Sequence, residues 1–374
     1  VDTLLYGVSS ALRVFALDAR SGEEVWIFGD TLKTLFSTSR GVSYWELGND
    51  KRIFYTKGSD LWALNAHTGQ PIPSFGKGGK IDLRSGLPAS ALYKFVISST
   101  PGTIYKNLII MSLRLSEGVG AAPGDVMAFD VITGELAWSF HTIPRPGEMG
   151  IETWGDPNIS ESPIVGAANN WAGMALDQER EILYVPTGSA APDFYGAMRP
   201  GKNLYSNCLL ALNANTGKLL WHYQFIHHDL WDRDPPAPPN LITINRGGHI
   251  IPAVAQVTKQ GYVFVFDRET GRPLFDIEEL AVPESELPGE QTWPTQPVPF
   301  KPARFARQSD ELTTEDISPY APNRDSLIAL FEQLDKRNFA PPSLKPSLLL
   351  PGYDGGAEWG GAAADPDKGI LYIN

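Results

Sequence analysis

The chain has 374 residues, and 43 acidic against 31 basic side chains give it a formal charge of −12. That balance argues against a nucleic-acid or anionic-membrane surface, since both need a basic footprint. A single cysteine, Cys208, excludes an internal disulfide and a cysteine-rich metal site.

The first predicted element is the apolar segment Leu4-Leu-Tyr-Gly-Val8, and the last is Ile370-Leu-Tyr-Ile-Asn374, which reads as the middle of a strand. The chain is therefore expected to be a fragment truncated at both ends. No uncharged run reaches the ~18 residues of a membrane helix. Between the ends one pattern recurs: Ala16-Leu-Asp-Ala-Arg-Ser-Gly-Glu-Glu-Val-Trp26, Ala63-Leu-Asn-Ala-His-Thr-Gly-Gln-Pro-Ile-Pro73 and Ala128-Phe-Asp-Val-Ile-Thr-Gly-Glu-Leu-Ala-Trp138. It returns at Ala211-Leu-Asn-Ala-Asn-Thr-Gly-Lys-Leu-Leu-Trp221 and Val265-Phe-Asp-Arg-Glu-Thr-Gly-Arg-Pro-Leu-Phe275, with half-copies at 175–184 and 364–372. Each copy predicts a hairpin: an apolar strand, Asp or Asn to start the turn, Gly where φ must be positive, and a second strand. The Asp/Asn positions lie 47 to 83 residues apart, the spacing of propeller blades with insertions. A Trp four residues after the Gly can dock on the neighbouring blade, a signature that a β-sandwich does not need.

The predicted architecture is thus all-β, a β-propeller whose repeats are completed by docked tryptophans. Three segments interrupt the repeat. Residues 141–163 are rich in Pro and Gly. Residues 279–308 read as a long polar loop. Residues 322–336 place Leu327, Leu330, Phe331 and Leu334 at helical spacing, an amphipathic helix packed on the rim. The domain reading is one propeller domain over 1–374, with an insertion at 279–345 that carries the Pro-rich loop and the short helix.

Four places hold residues that a plain propeller does not require. His227-His-Asp-Leu-Trp-Asp-Arg-Asp234 crowds two histidines and three acids into a loop stiffened by prolines. Asn169-Asn-Trp171 places a Trp outside the docking motif. Arg114-Leu-Ser-Glu117 precedes a Gly/Ala/Pro loop, and Thr258-Lys-Gln-Gly261 sets a lysine at a turn. Each has a plainer explanation. Carboxylates beside hairpins commonly cap backbone N–H groups, a lone Trp is usually core, and adjacent histidines without a third spaced ligand rarely bind zinc. Gly118–Gly124 lacks the dinucleotide-binding register, and Gly76–Lys80 lacks the P-loop spacing.

Taken together these pieces closely resemble the quinoprotein dehydrogenases. The resemblance runs through essentially the whole chain and is carried further by Ser39-Arg-Gly-Val-Ser-Tyr44, Pro186-Thr-Gly-Ser189, Tyr205-Ser-Asn-Cys208 and Trp359-Gly-Gly361. It implies an eight-bladed propeller, incomplete here, with pyrroloquinoline quinone (PQQ) on its axis. The branch implied is that of membrane-bound glucose and polyol dehydrogenases. The adjacent cysteines of the methanol dehydrogenase branch are missing; Thr34-Leu35-Phe36 stands there, and Phe36 is expected to cover the cofactor ring.

Asp232 matches the catalytic base that takes the alcohol proton as hydride leaves for the quinone. Glu117, Ser189, Asp232 and Asp234 match metal ligands, with Ca²⁺ expected ahead of a lanthanide or Mg²⁺. Ser189 stands where relatives usually carry Asn, and Glu358 where an Asn often faces the cofactor. Trp171 matches the aromatic floor under the cofactor, while Arg40, Ser99, Arg114, Asn169, Lys259 and Trp359 match further cofactor contacts. The implied activity is oxidation of an aldose, polyol or alcohol on the periplasmic side of the inner membrane, with ubiquinone or a cytochrome taking the electrons. The rival reading is a non-catalytic scaffold like the outer-membrane assembly lipoprotein. A fused haem domain is disfavoured, because no Cys-x-x-Cys-His is present.

Overall fold

The computed structural model describes residues 1–30, 38–365 and 368–374. The fold is a succession of antiparallel meanders. Leu4–Val8, Val14–Asp18 and Glu24–Phe28 form the first. Ser43–Leu47, Asp50–Lys57, Asp60–Asn65 and Lys80–Asp82 form the second, and Thr103–Tyr105, Leu108–Met111, Val126–Asp130 and Leu136–Phe140 the third. Ala175–Asp177, Ile182–Pro186, Cys208–Asn213 and Leu219–Gln224 make the fourth, and Asn240–Arg246, His249–Val257 and Val263–Asp267 the fifth. The hairpin Ala362–Asp365 with Ile370–Ile373 follows.

All five repeat turns are built alike. The side-chain oxygen of Asp18, Asn65, Asp130, Asn213 or Asp267 accepts from the backbone N–H groups two and three residues on. The carbonyl of the same residue accepts from the N–H of the turn glycine, which takes a φ between 69° and 78°. A side chain in that left-handed region is strained, so the turn selects Gly.

The tryptophans dock on the next blade as the repeat predicts. Trp26, Trp138 and Trp221 donate from Nε1 to the carbonyls of Ala66, Ala214 and Arg268, each one residue beyond the Asp/Asn of the following repeat. The indole also lies on that repeat's glycine: a Cβ on Gly69, Gly217 or Gly271 would come within 2.4–2.5 Å of the ring. The second repeat, which ends in Pro73, has no such Trp. There Arg52, held by Asp50, donates to the carbonyls of Val131 and Ile132 at 2.8 and 3.0 Å.

The five main core clusters consequently each join two neighbours in the series. Val14 and Trp26 pack with Ile53 and Tyr55, Phe54 and Phe75 with Ile109 and Phe129, and Ile110 and Trp138 with Leu183 and Leu210. Tyr184 and Trp221 pack with Val254 and Phe266, and Ala253 and Val265 with Leu371 and Ile373. Central strands buried on both faces, such as Ile53–Thr56, follow from this sandwiching. Trp221→Ala is expected to cost about 3–5 kcal/mol, read as a lower urea midpoint, because it empties the seam between the fourth and fifth sheets and strips the Arg268 carbonyl of its donor.

Two readings of the insertions change. The segment read as a long polar loop at 279–308 contains a hairpin, Ile277–Ala281 paired with Thr295–Pro299. Its prolines, 297 and 299, are tolerated because a two-stranded ribbon leaves half of its N–H groups unpaired in any case. The helix spans Arg324–Gln333 and buries no residue; Leu327 and Leu330 remain exposed. No helix among the described residues is long and apolar enough to cross a membrane. Thr34, Leu35 and Phe36 lie outside the described residues.

Candidate active site

The off-repeat residues converge from four sheets onto one cavity of about 450 Å³. Arg40, Ser99, Arg114, Glu117, Asn169 and Trp171 line it on one side of the sequence, and Ser189, Asp232, Asp234 and Lys259 on the other, with Thr38, Asp193 and Glu358 completing the polar wall. Of the described residues matched in the sequence to cofactor contacts or metal ligands, Trp359 alone is not in the lining. It sits at the edge, 59% exposed, with the Arg40 guanidinium carbon 5.3 Å from its ring centroid and 5.5 Å from that of Trp171.

The loop after Leu219–Gln224 is organised around Asp229. One Asp229 oxygen accepts from the N–H of Trp231 at 2.8 Å. The other accepts from the N–H of Arg233 at 2.7 Å, from Asn207 Nδ2 at 2.7 Å and from the Ser189 hydroxyl. Between those two tethered N–H groups stands Asp232, with φ at 55°. A non-glycine residue in the left-handed region is strained, and such strain persists only where the surroundings over-determine it. Both histidines are fastening points: His227 bonds Gln224 and Glu279, and the fully buried His228 pairs with Glu290 at 2.8 Å. They tie the Asp229–Asp234 loop to residues 279 and 290.

Asp232 Oδ2 accepts from Lys259 Nζ at 3.0 Å, and among the described residues its Oδ1 has no protein partner. Asp234 accepts from Trp171 Nε1 at 2.7 Å and from the Ser189 N–H at 2.6 Å. The carboxylate thus fixes the plane of the indole. It approaches this closely because residue 188 is Gly; a Cβ there would lie 2.6 Å from the Asp234 oxygen. Asn169 is held by its own bond to the Leu113 carbonyl, and Arg40 donates to the hydroxyls of Ser99 and Thr100.

The electrostatics show what the cavity lacks. Five carboxyls line it (Glu117, Asp193, Asp232, Asp234, Glu358) against three bases (Arg40, Arg114, Lys259). Burial, with Asp234 beside it, pushes Asp232 up to about 8 despite the opposing Lys259. Burial together with Asp234 and Asp232 pushes Asp193 up to about 9. Burial lowers Lys259, but Asp234 and Asp232 outweigh it and raise the ammonium above its ordinary value. Acids held protonated in this way mark a site short of positive charge.

Both implied groups fit. A planar polycarboxylate quinone would find the Trp171 indole for its face and Arg40, Arg114 and Lys259 for its anionic edge. Adding such an anion to a wall already rich in carboxylates calls for a divalent cation, and the oxygen donors Glu117, Ser189, Asp232 and Asp234 are of the kind that hard cations take. Among the described residues, no three acid or imidazole side chains stand close enough together to hold an ion. Asp234 accepts from Trp171 and Ser189 and Asp232 from Lys259, while Asp232 Oδ1 remains open to a further ligand.

Sequence reasoning missed Asp193 and Asp229 as site residues. Asp193 lies in a loop, Pro-Asp-Phe, without any spacing signal. Asp229 was visible only as one acid in the His-His-Asp run, and its role as the hub of that loop emerges from the fold alone.

The whole chain, residues 1–374, matches the family described as PQQ: glucose/ethanol/alcohol dehydrogenase, beta-propeller domain. It is 34% identical to the quinoprotein glucose dehydrogenase of Escherichia coli K12 over 100% of this chain and 48% of that protein. It is 30% identical to the glycerol dehydrogenase large subunit of Gluconobacter oxydans over 99% of this chain and 51% of that subunit. The chain therefore spans about half the length of these relatives. Among solved structures, the fold is shared with the quinohemoprotein alcohol dehydrogenase of Comamonas testosteroni, at a TM-score of 0.69 and 22% identity, covering 100% of this chain and 50% of that one. It is shared also with a europium-containing methanol dehydrogenase, at a TM-score of 0.67 and 19% identity, covering 99% and 59%. With sequence matches along its full length and a propeller that gathers the off-repeat residues into one cavity, the chain belongs to the PQQ-dependent glucose/ethanol/alcohol dehydrogenase family.

Proposed function

We propose that the protein carrying this chain oxidises the CH–OH group of an aldose, polyol or related alcohol with PQQ as its cofactor, and passes the electrons to a quinone acceptor such as ubiquinone or to a cytochrome on the periplasmic side of the membrane. The observation that carries this reading is the Asp232–Lys259 pair. A half-buried carboxylate with one oxygen bonded to an ammonium and the other, among the described residues, without a protein partner faces a cavity that also holds the Trp171 indole.

When bound, PQQ supplies the two-electron acceptor, and a cation held by Glu117, Ser189, Asp232 and Asp234 supplies Lewis acidity. The chain's own residues do the remainder. Asp232 accepts the substrate hydroxyl proton at Oδ1, within a loop that Asp229 holds rigid. Lys259 keeps Asp232 oriented and favours its ionised form. Asp234 locks the indole plane through Trp171 Nε1, and Arg40 and Arg114 draw the anionic edge of the cofactor into the cavity. A non-catalytic scaffold has no use for five carboxyls around one cavity, since crowding like charges, two of them buried, costs stability without return.

The test is to titrate PQQ into the protein with Ca²⁺ present and follow quenching of the intrinsic tryptophan fluorescence. Dye reduction with aldoses, polyols and short alcohols is measured in parallel. Saturable quenching, reduced in Trp171→Phe, and cofactor-dependent dye reduction are expected. A well-folded protein that binds no PQQ would sink the dehydrogenase reading.

A further inference from the structure

Two buried arginines form no ion pair among the described residues. Arg199 is fully buried, and its guanidinium reaches only the carbonyls of Pro192, Asp193 and Asp229 and the Asn203 side chain. Arg233, 4% exposed, reaches the carbonyls of Lys259, Pro351 and Gly352. Burying a cation against carbonyls alone is costly, and burial lowers the pKa of both. Each arginine pins one loop to the base loop. Arg199 ties 192–193 to Asp229, and Arg233, the neighbour of Asp232, ties 351–352 to Lys259.

The loops so pinned carry aromatic rings with no place in a core. Phe194 directly follows Asp193 of the cavity wall and is 45% exposed; Tyr353 follows Gly352 and is 58% exposed. Their rings meet edge to face, with centroids 5.2 Å apart at 75°. The loop of Tyr353 then runs on against the base's partner: the Gly356 N–H donates to the Lys259 carbonyl at 2.8 Å, and a Cβ on Gly355 would lie 2.6 Å from the Lys259 Cβ. It reaches the cavity again at Glu358. An apolar pair held rigidly beside a polar, acid-rich cavity offers one ligand two surfaces of opposite character.

Resting on the function proposed above, we infer that Phe194 and Tyr353 form a specificity rim that selects a cyclic polyhydroxy donor, a pyranose or cyclitol, over an acyclic alcohol. Such a ring presents axial C–H groups to the aromatic pair while its hydroxyls face the polar wall, whereas a short alcohol has no face to lay on it. Because both loops are anchored in advance, little ordering entropy is lost on binding.

The test uses Phe194→Ala, Tyr353→Ala and the double variant, all at exposed positions. With PQQ and Ca²⁺ loaded, KM for methyl α-glucopyranoside, glucose and myo-inositol is expected to rise about tenfold per ring lost. The kcat and the PQQ affinity stay within twofold, and KM for ethanol and glycerol is unchanged. An equal change for all donors, or none, overturns the inference. A second readout needs no turnover: saturation-transfer NMR on the cofactor-free protein, with methyl α-glucopyranoside as the probe. Transfer from aromatic protons to the axial C–H protons, lost in the double variant, supports the rim even if no donor reduces dye, and absence of transfer in the wild type overturns it. Failure of the dehydrogenase reading itself would show instead as absent PQQ binding by the wild type.

Discussion

Asp232→Asn is expected to lower turnover of the PQQ-loaded protein by about 10²–10⁴-fold, the range lost with a positioned general base, while PQQ affinity changes little. Asn keeps the shape of the side chain and the acceptor for Lys259 Nζ but takes no proton. The pH dependence follows from the same residue. The base works only when ionised, and burial beside Asp234 holds it up to about 8 in the cation-free protein. The rate should therefore climb with pH through that value. A divalent cation at the site stabilises the carboxylate and draws the acidic limb to lower pH; chelation returns it. Stability runs the other way. A carboxyl whose folded pKa lies above its unfolded value binds more protons when folded, so stability is lost as pH rises from the unfolded value toward 8. Asp232→Asn is accordingly expected to melt no lower than the wild type at pH 7 and to flatten the fall in melting temperature between pH 4 and 8. A variant as active as the wild type would exclude Asp232 as the base.

The repeat was legible because its chemistry is local. An Asp or Asn that collects two N–H groups, a Gly at positive φ and a Trp at fixed distance are all dictated within eleven residues; the structure shows the turn in all five full copies and the docked Trp in the three that carry one. The seam between the second and third sheets was not legible. Arg52 takes the docking role there from the middle of a strand, where nothing marks it as other than a solvated arginine. The hairpin at 277–299 was hidden by its prolines and by a 13-residue connection that carries no turn signature. In the cavity, the residues that stood out were those whose type is unusual for a turn, such as Lys259 and Trp171. Asp193 and the arginines Arg199 and Arg233 acquire their meaning from burial. A sequence shows a charged residue but not whether water reaches it, and burial is what turns an ordinary aspartate into one held protonated up to about 9. Glu117 and Ser189 line the cavity, and Asp234 is engaged with Trp171, an arrangement that spacing along the chain does not reveal.

Lys259→Met separates the two ways in which the base could fail. Among the described residues Lys259 Nζ is the one cation bonded to Asp232, at 3.0 Å, and its side chain is itself buried. Its removal leaves Asp232 and Asp234 facing each other in low dielectric with no positive partner at that distance. A lone buried carboxylate does not remain charged at that cost; it takes up a proton. Global stability should consequently fall far less than the ~3–5 kcal/mol that a broken buried ion pair otherwise costs, because protonation removes the unpaired charge. Activity bears the loss instead. Losing an opposite charge at this range raises a carboxyl by about 1–3 pH units, so kcat at pH 7 and saturating PQQ is expected to drop about 10- to 1000-fold, and most of it should return as the pH is raised. Asp232→Asn, with no base to ionise, recovers nothing at any pH. A Lys259→Met protein with an unshifted pH profile would show that the ammonium serves the cofactor alone and leaves the base to its other neighbours.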